Sequence, residues 1–327
     1  MEMKKYKMVK ENGMYRIIAL RDFGNVKKGD KGGLVYHNFN LSHDGKCWIG
    51  YNATVRDNAM VFGNAIVQGY SRVVGNAQVF GNAQVRDEAI VCDDARIGGN
   101  AIVGGNAIIE DEARIDRYAI IEGHVQVFGN AVITDDAQVR DEAIVRGNAL
   151  ICGNAKVFNR AIVEGGSTVC GYARVHGYAI VRDNAQVRDE AIVRGNALIC
   201  DNAIVCDEGI LRDDTTVYDN AQVRGEAIVR GNAVVRGNAI ADGHSILEGN
   251  ATLESNARVL HGTHTNKVQY INGSDYTATV DGDYINIKNN SFTPDEWLMV
   301  IDEWDMDSFK KAEYKGIVLF LKNKYMV

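Results

Sequence analysis

The chain's 327 residues would fill two ordinary domains, yet about two thirds of them form one periodic array, so length alone misstates the organisation. Thirty-four glycines, one proline and 8% aromatic residues describe a chain that turns constantly around small side chains, not one with an aromatic-rich core. A net charge of -7 argues against general nucleic-acid binding, which shows as a basic balance, and no run approaches the roughly 20 apolar residues of a membrane span.

Residues 1–47 predict a β-rich cap, with strand-like alternation over residues 5–9 and 14–20 and a glycine- and lysine-rich loop after Arg21. No apolar stretch follows Lys4, Lys5 and Lys7, so a signal peptide is not expected and a cytoplasmic protein is. Cys47, Cys92, Cys152, Cys170, Cys200 and Cys206 form no Cys-x-x-Cys pair and no zinc-like spacing, so reduced thiols are expected.

From Ala53 to Ala257 every sixth residue is small and nearly always alanine, and no insertion breaks the phase. Two residues after it stands Val, Ile or Leu, with Ala241 the exception, and then a turn pair of Gly or Asp followed mostly by Asn, Glu or Asp. Strand alternation puts the alanine and the branched residue on one side and the residues between and after them on the other. Glycine supplies the positive φ of a tight corner, and Asp or Asn tolerates it.

The unit in Val235-Arg236-Gly237-Asn238-Ala239-Ile240 resembles the hexapeptide-repeat signature of left-handed parallel β-helices. The resemblance implies a mainly β fold, with three hexads per triangular coil of 18 residues and nearly 12 coils over residues 48–262. Like corners should then stack, Asn130 with Asn148, and Asn184, Asn202, Asn220, Asn238 and Asn256 as a ladder. The leader Ala19-Leu20-Arg21-Asp22-Phe23-Gly24-Asn25-Val26, with Gly29-Asp30, Gly32-Gly33, Asn40-Leu41-Ser42 and Cys47-Trp48-Ile49, is similar to that of uncharacterised hexapeptide-repeat proteins of phage, prophage and bacterial genomes, some described as acetyltransferases.

After Gly262 the period stops, and residues 263–327 predict a small α/β domain that either caps the solenoid or serves as a recognition domain. Residues 267–271, 276–280 and 284–287 read as strands around Asn272-Gly273 and Asp281-Gly282 turns. Thr293-Pro294-Asp295-Glu296 combines an N-cap, proline at the first helical position and a capping-box glutamate, so a helix is expected over residues 294–304 and another over 308–322.

Acyltransferases of the resembled class imply trimers that bind acyl-CoA between subunits and use a histidine base, often beside a loop that interrupts the coils. This chain departs from that pattern, because no loop interrupts its array and only His124, His176 and His244 lie within it. His176, near Tyr172 and Tyr178, is the candidate base if acyl-CoA is used; otherwise no cofactor is expected. His261 and His264 lack further ligands, so no metal is expected.

Steps of 18 sort the outward residues into walls. One wall carries Ile90, Ile108, Ile144, Ile162, Ile180 and Leu198, and a second carries Ile66, Ile102, Ile120, Ile192, Ile210, Ile228 and Ile246. Such rows expose on the order of 400 Å² of apolar surface, the size of a contact face. They predict a homotrimer, a homodimer or a heterologous protein partner. Arg194, Arg212 and Arg230 form a row that could hold an anion, with Glu190, Glu208 and Glu226 at the preceding corner to neutralise it. The favoured expectation is a non-catalytic scaffold, used as a phage-related accessory or inhibitory factor; the alternative is a CoA-dependent acyltransferase.

Overall fold

The computed structural model describes residues 4–288 and 290–326, in two compact units divided between His176 and Gly177. Both units are mainly β and consist of parallel stacked coils, about 13 turns between them. A coil has three walls, each contributing a short strand such as Ile90–Val91. Ala89 and Val91 are fully buried while Ile90 is half-buried, so the alternation read from the sequence is the inside and outside of the solenoid. Backbone bonds run between coils: the Ile90, Cys92 and Asp94 N–H groups donate to the Ala107, Ile109 and Asp111 carbonyls, each at 2.9 Å.

Every sixth residue from Asp57 to Ser255 has positive φ, so each corner turns through the left-handed region that glycine enters freely and aspartate tolerates. Aspartate at this corner does more than tolerate it. The Asp57 carboxylate accepts the Gly75 N–H, Asp87 that of Gly105 and Asp219 that of Gly237, each one coil on. Corner asparagines stack as expected from Asn184 to Asn202 and from Asn202 through Asn220 and Asn238 to Asn256. Among the described residues no side-chain hydrogen bond joins Asn130 to Asn148.

The expectation of nearly 12 coils falls about one short, because stacking starts before the alanine repeat. Strand Lys31–Val35 pairs in parallel with Thr54–Val55, which sets Gly33 beside Ala53; a Cβ on Gly33 would lie 2.4 Å from the Ala53 carbonyl oxygen. The space alanine fills elsewhere has closed to hydrogen. Trp48–Ile49 and Thr263–His264 extend the second wall in the same way.

Ahead of this coil, Tyr6–Glu11 and Met14–Ala19 form an antiparallel hairpin around Asn12 and Gly13, both at positive φ, as a two-residue turn requires. Lys5 is fully buried, and its Nζ donates to the Asp44 and Cys47 carbonyls and to Cys47 Sγ at 3.1 Å. Arg16 donates to the Gly32 and Tyr51 carbonyls while pairing with Glu11. These side chains occupy acceptors that the first coil has no earlier coil to satisfy.

In the second unit the coils end against an antiparallel sheet of Tyr270–Asn272, Thr277–Asp281, Tyr284–Ile287 and Asn290–Phe292. Its first strand begins three residues later than the sequence suggests. Helix α1 covers Pro294–Val300 and continues as a 3₁₀ turn, Ile301–Glu303; helix α2 covers Ser308–Tyr325. The predicted capping box is present, with Thr293 and Glu296 bonding reciprocally. Trp297, Ile301, Tyr314, Val318 and Leu321 pack under Ala278, Ile285 and Ile287 as a separate core.

Candidate binding surfaces

Two outward positions recur in each hexad, the residue after the alanine and the residue after the branched one. On the first wall Ile90 pairs in register with Ile108 and Ile144 with Ile162, Gln126 standing between the pairs. Within the second unit Ile180 pairs with Leu198 on one wall, and Ile192, Ile210, Ile228 and Ile246 stack on another. All of these aliphatic residues are half-buried, while Gln126 is exposed. Their flanks are covered by charged neighbours, for example the Arg146 and Glu164 pair, whose Nε to Oε2 distance is 2.5 Å. What remains outward is an apolar ribbon along the wall.

Gly104 shows how the neighbouring row is tuned. Arg86 reaches past it to Glu122, two coils away, with Nη2 at 2.5 Å from Oε1. A Cβ on Gly104 would sit 3.1 Å from Arg86 Nε.

His176 lies on a wall, half-buried, with its ring stacked on Phe158 at 4.5 Å and 10°. Face-to-face stacking occupies one side of the imidazole that a substrate would approach. His124 is an exposed corner residue, so the first unit does not bring its two repeat histidines into one position. In the second unit His244 Nδ1 faces Glu226 Oε2 at 3.3 Å, both exposed. His264 bonds to Asp281 at 3.1 Å, whereas the His261 ring lies against Tyr284.

The arginine row is divided. Arg230 donates to Glu248 at 2.6 Å, one coil on in the same row, and Arg212 lies 3.9 Å from Asp213. The corner acids expected to neutralise the row are not its partners among the described contacts: Glu226 faces His244 instead. Only Arg194 stands fully exposed at the end of the row.

Residues distant in sequence also meet at corners in groups that spacing could not show: Cys92 with Asp93 and Glu110, Cys200 with Asp183 and Asp201, and Cys206 with Asp189 and Asp207. Burial first, and the adjoining carboxylates second, push the Cys92 thiol up to about 12 and Cys206 to about 11. A metal-binding thiolate needs the reverse. The carboxylates already hold backbone, as when Asp189 accepts the Asp207 N–H.

Sequence reasoning missed the concave surface of the C-terminal domain. A cleft of about 420 Å³ is lined by Asp275, Tyr276, Lys288, Trp304, Asp307 and Lys310. Lys310 pairs with Asp275 at 2.7 Å and Lys288 lies over the Tyr276 ring at 5.2 Å. A second cleft of about 380 Å³ runs between Ile240 and Arg258 of the last coils and Gly273 and Asn286 of the sheet. The acidic and aromatic run Asp302-Glu303-Trp304-Asp305-Met306-Asp307 was the available signal. Also missed were Tyr70 and Tyr118, 67% and 60% exposed, which replace the usual corner residues.

Comparison with models of known protein families and with curated proteins returns no match.

Proposed function

We propose that the protein is a non-catalytic scaffold of the hexapeptide-repeat, left-handed β-helix class that binds protein through its walls, first of all a second copy of itself. The observation carrying this reading is the isoleucine ribbon of the first unit, where Ile90 and Ile108, and Ile144 and Ile162, present aliphatic side chains outward in register; Ile180 and Leu198 do the same within the second unit. Solvent-facing strands have no packing need for that choice, and polar β-formers such as threonine already fill the same position at Thr54, Thr168 and Thr252. The likeness of the leader to phage and prophage proteins supports use as an accessory or inhibitory factor in that setting.

Acyl transfer is the less supported reading, since the candidate base His176 is stacked on Phe158 and the coils carry no long loop beside it. Light scattering tests the scaffold reading. The wild-type chain should form a dimer or trimer, and Ile144→Lys with Ile162→Lys should lower the mass while leaving the β-type circular dichroism intact. A wild-type monomer, or an unchanged assembly in the double variant, would refute self-association through the first wall.

A further inference from the structure

All six cysteines are free, and two of them are immediate neighbours in one outward row of the third wall. Cys152 follows strand Leu150–Ile151 and Cys170 follows Thr168–Val169. Those strands pair in register, Leu150 with Thr168 and Ile151 with Val169, and the Cys152 N–H donates to the Val169 carbonyl at 3.0 Å. The cysteines are therefore direct neighbours one coil apart, with the spacing of adjacent strands, about 4.8 Å, between their backbones. Disulfides join Cα atoms about 4.4–6.8 Å apart, so the backbone spacing of this pair lies within the range of a bond.

Both side chains are half-buried rather than sealed, and Cys170 is among the groups that push the Cys152 thiol up. The other thiols are differently placed: Cys47 packs on Lys5, and Cys92, Cys200 and Cys206 each face carboxylates.

We propose that Cys152 and Cys170 are an oxidisable pair that closes into a disulfide across two adjacent coils when a small-molecule disulfide is the oxidant. The Cys170 thiolate attacks one sulfur of the oxidant, forms a mixed disulfide and releases one small thiolate. Cys152 then gives up its proton and attacks the Cys170 sulfur, expelling the second. The protein loses two protons and two electrons, and the oxidant takes them up to become two thiols. Burial first, and Cys170 and Asp135 next, push the Cys152 thiol up to about 11, which keeps Cys152 protonated at neutral pH until the mixed disulfide forms. In a reducing compartment such a bond is transient and reports oxidation rather than holding the fold. The pair lies off the two isoleucine walls, so association through those walls leaves it reachable.

The full-length native protein, incubated with oxidised glutathione and then alkylated, provides the test. Free thiols should fall by two from the six in the chain, with an intact mass about 2 Da lower, and trypsin should release peptides 147–156 and 161–174 joined only by the bridge. Cys152→Ser should instead retain a single glutathione adduct of about 305 Da on Cys170. Six remaining thiols, a bridge between other cysteines, or a bridge between two chains would each overturn the proposal.

Discussion

At the scale of the residue, the interior admits substitutions for alanine only on chemical terms. Ser71, Ser167 and Ser245 stand at alanine positions, and each hydroxyl donates to the carbonyl three residues before it, at 2.7–2.8 Å. Thr215 stands at the same kind of position, fully buried, and its Oγ1 has no hydrogen-bond partner. An unsatisfied buried hydroxyl costs about 1–3 kcal/mol, whereas an apolar group of the same shape does not. Thr215→Val should therefore stabilise the second unit by about 1 kcal/mol, seen as a higher thermal midpoint; a midpoint lowered by that amount would mean the hydroxyl is in fact satisfied. The corner aspartates obey related logic. Alanine there would lose the carboxylate bond to the next coil and also meet positive φ, while glycine would lose only the bond.

At the scale of the element, the second unit shows how a parallel stack is ended. Arg258, Leu260 and His261 present backbone N–H groups that no further coil receives, and Thr279 and Asp281 of the C-terminal sheet accept them at 2.6–3.1 Å. Asn286 returns a bond to the Arg258 carbonyl at 2.9 Å and another to Asp281 at 2.6 Å. Asp281 is fully buried and also bonds to His264. Asp281→Ala would strand several donors together, the buried Asn286 amide among them, so the loss should reach about 3 kcal/mol, against about 1 kcal/mol for the exposed helix cap Thr293→Ala. Chemical denaturation of the two variants compares them directly, and equal losses would show that Asp281 is not the anchor. The Thr293–Glu296 cap is local and could be read from four residues. The Asp281 anchor joins residues some twenty apart and could not.

At the scale of the whole molecule, stability should fall on acidification in two windows. Burial first, and then the nearby Lys5 and Lys4, hold His43 below its ordinary 6.5. Its neutral form is thus favoured in the folded state, and the stability it gives is full above 6.5 and lost as pH falls below it. Burial alone would raise Asp242, but the Gly243 N–H and the Arg224 and Arg258 guanidinium groups outweigh it and leave the carboxyl below its ordinary 3.8. Lys267 and then Arg236 hold Glu254 below its ordinary 4.5. Depressed carboxyls stabilise above their unfolded values and lose that contribution as pH falls below 4.5 for Glu254 and below 3.8 for Asp242, through their lower folded-state values. A thermal midpoint should decline slightly between pH 7 and 5.5 and steeply below 4.5, with the first decline absent in His43→Phe; a midpoint that rises on acidification would contradict these signs.

The six-residue beat was enough to determine which side chains face in, where the chain turns and which residues stack, because each depends on local alternation and on a spacing that never changes. It also sorted the isoleucines onto two walls. It could not show that Gly33 takes an alanine's place a coil before the repeat begins, since only pairing with Thr54–Val55 sets that register. Nor could it show that Glu248 takes Arg230, that Phe158 stacks on His176, or that Cys152 meets Cys170, because rows are filled by residues one coil away whose side chains choose among several neighbours. Periodicity determines position; the pairing of charges, rings and thiols is decided by contact energies that exist only once the coils are stacked.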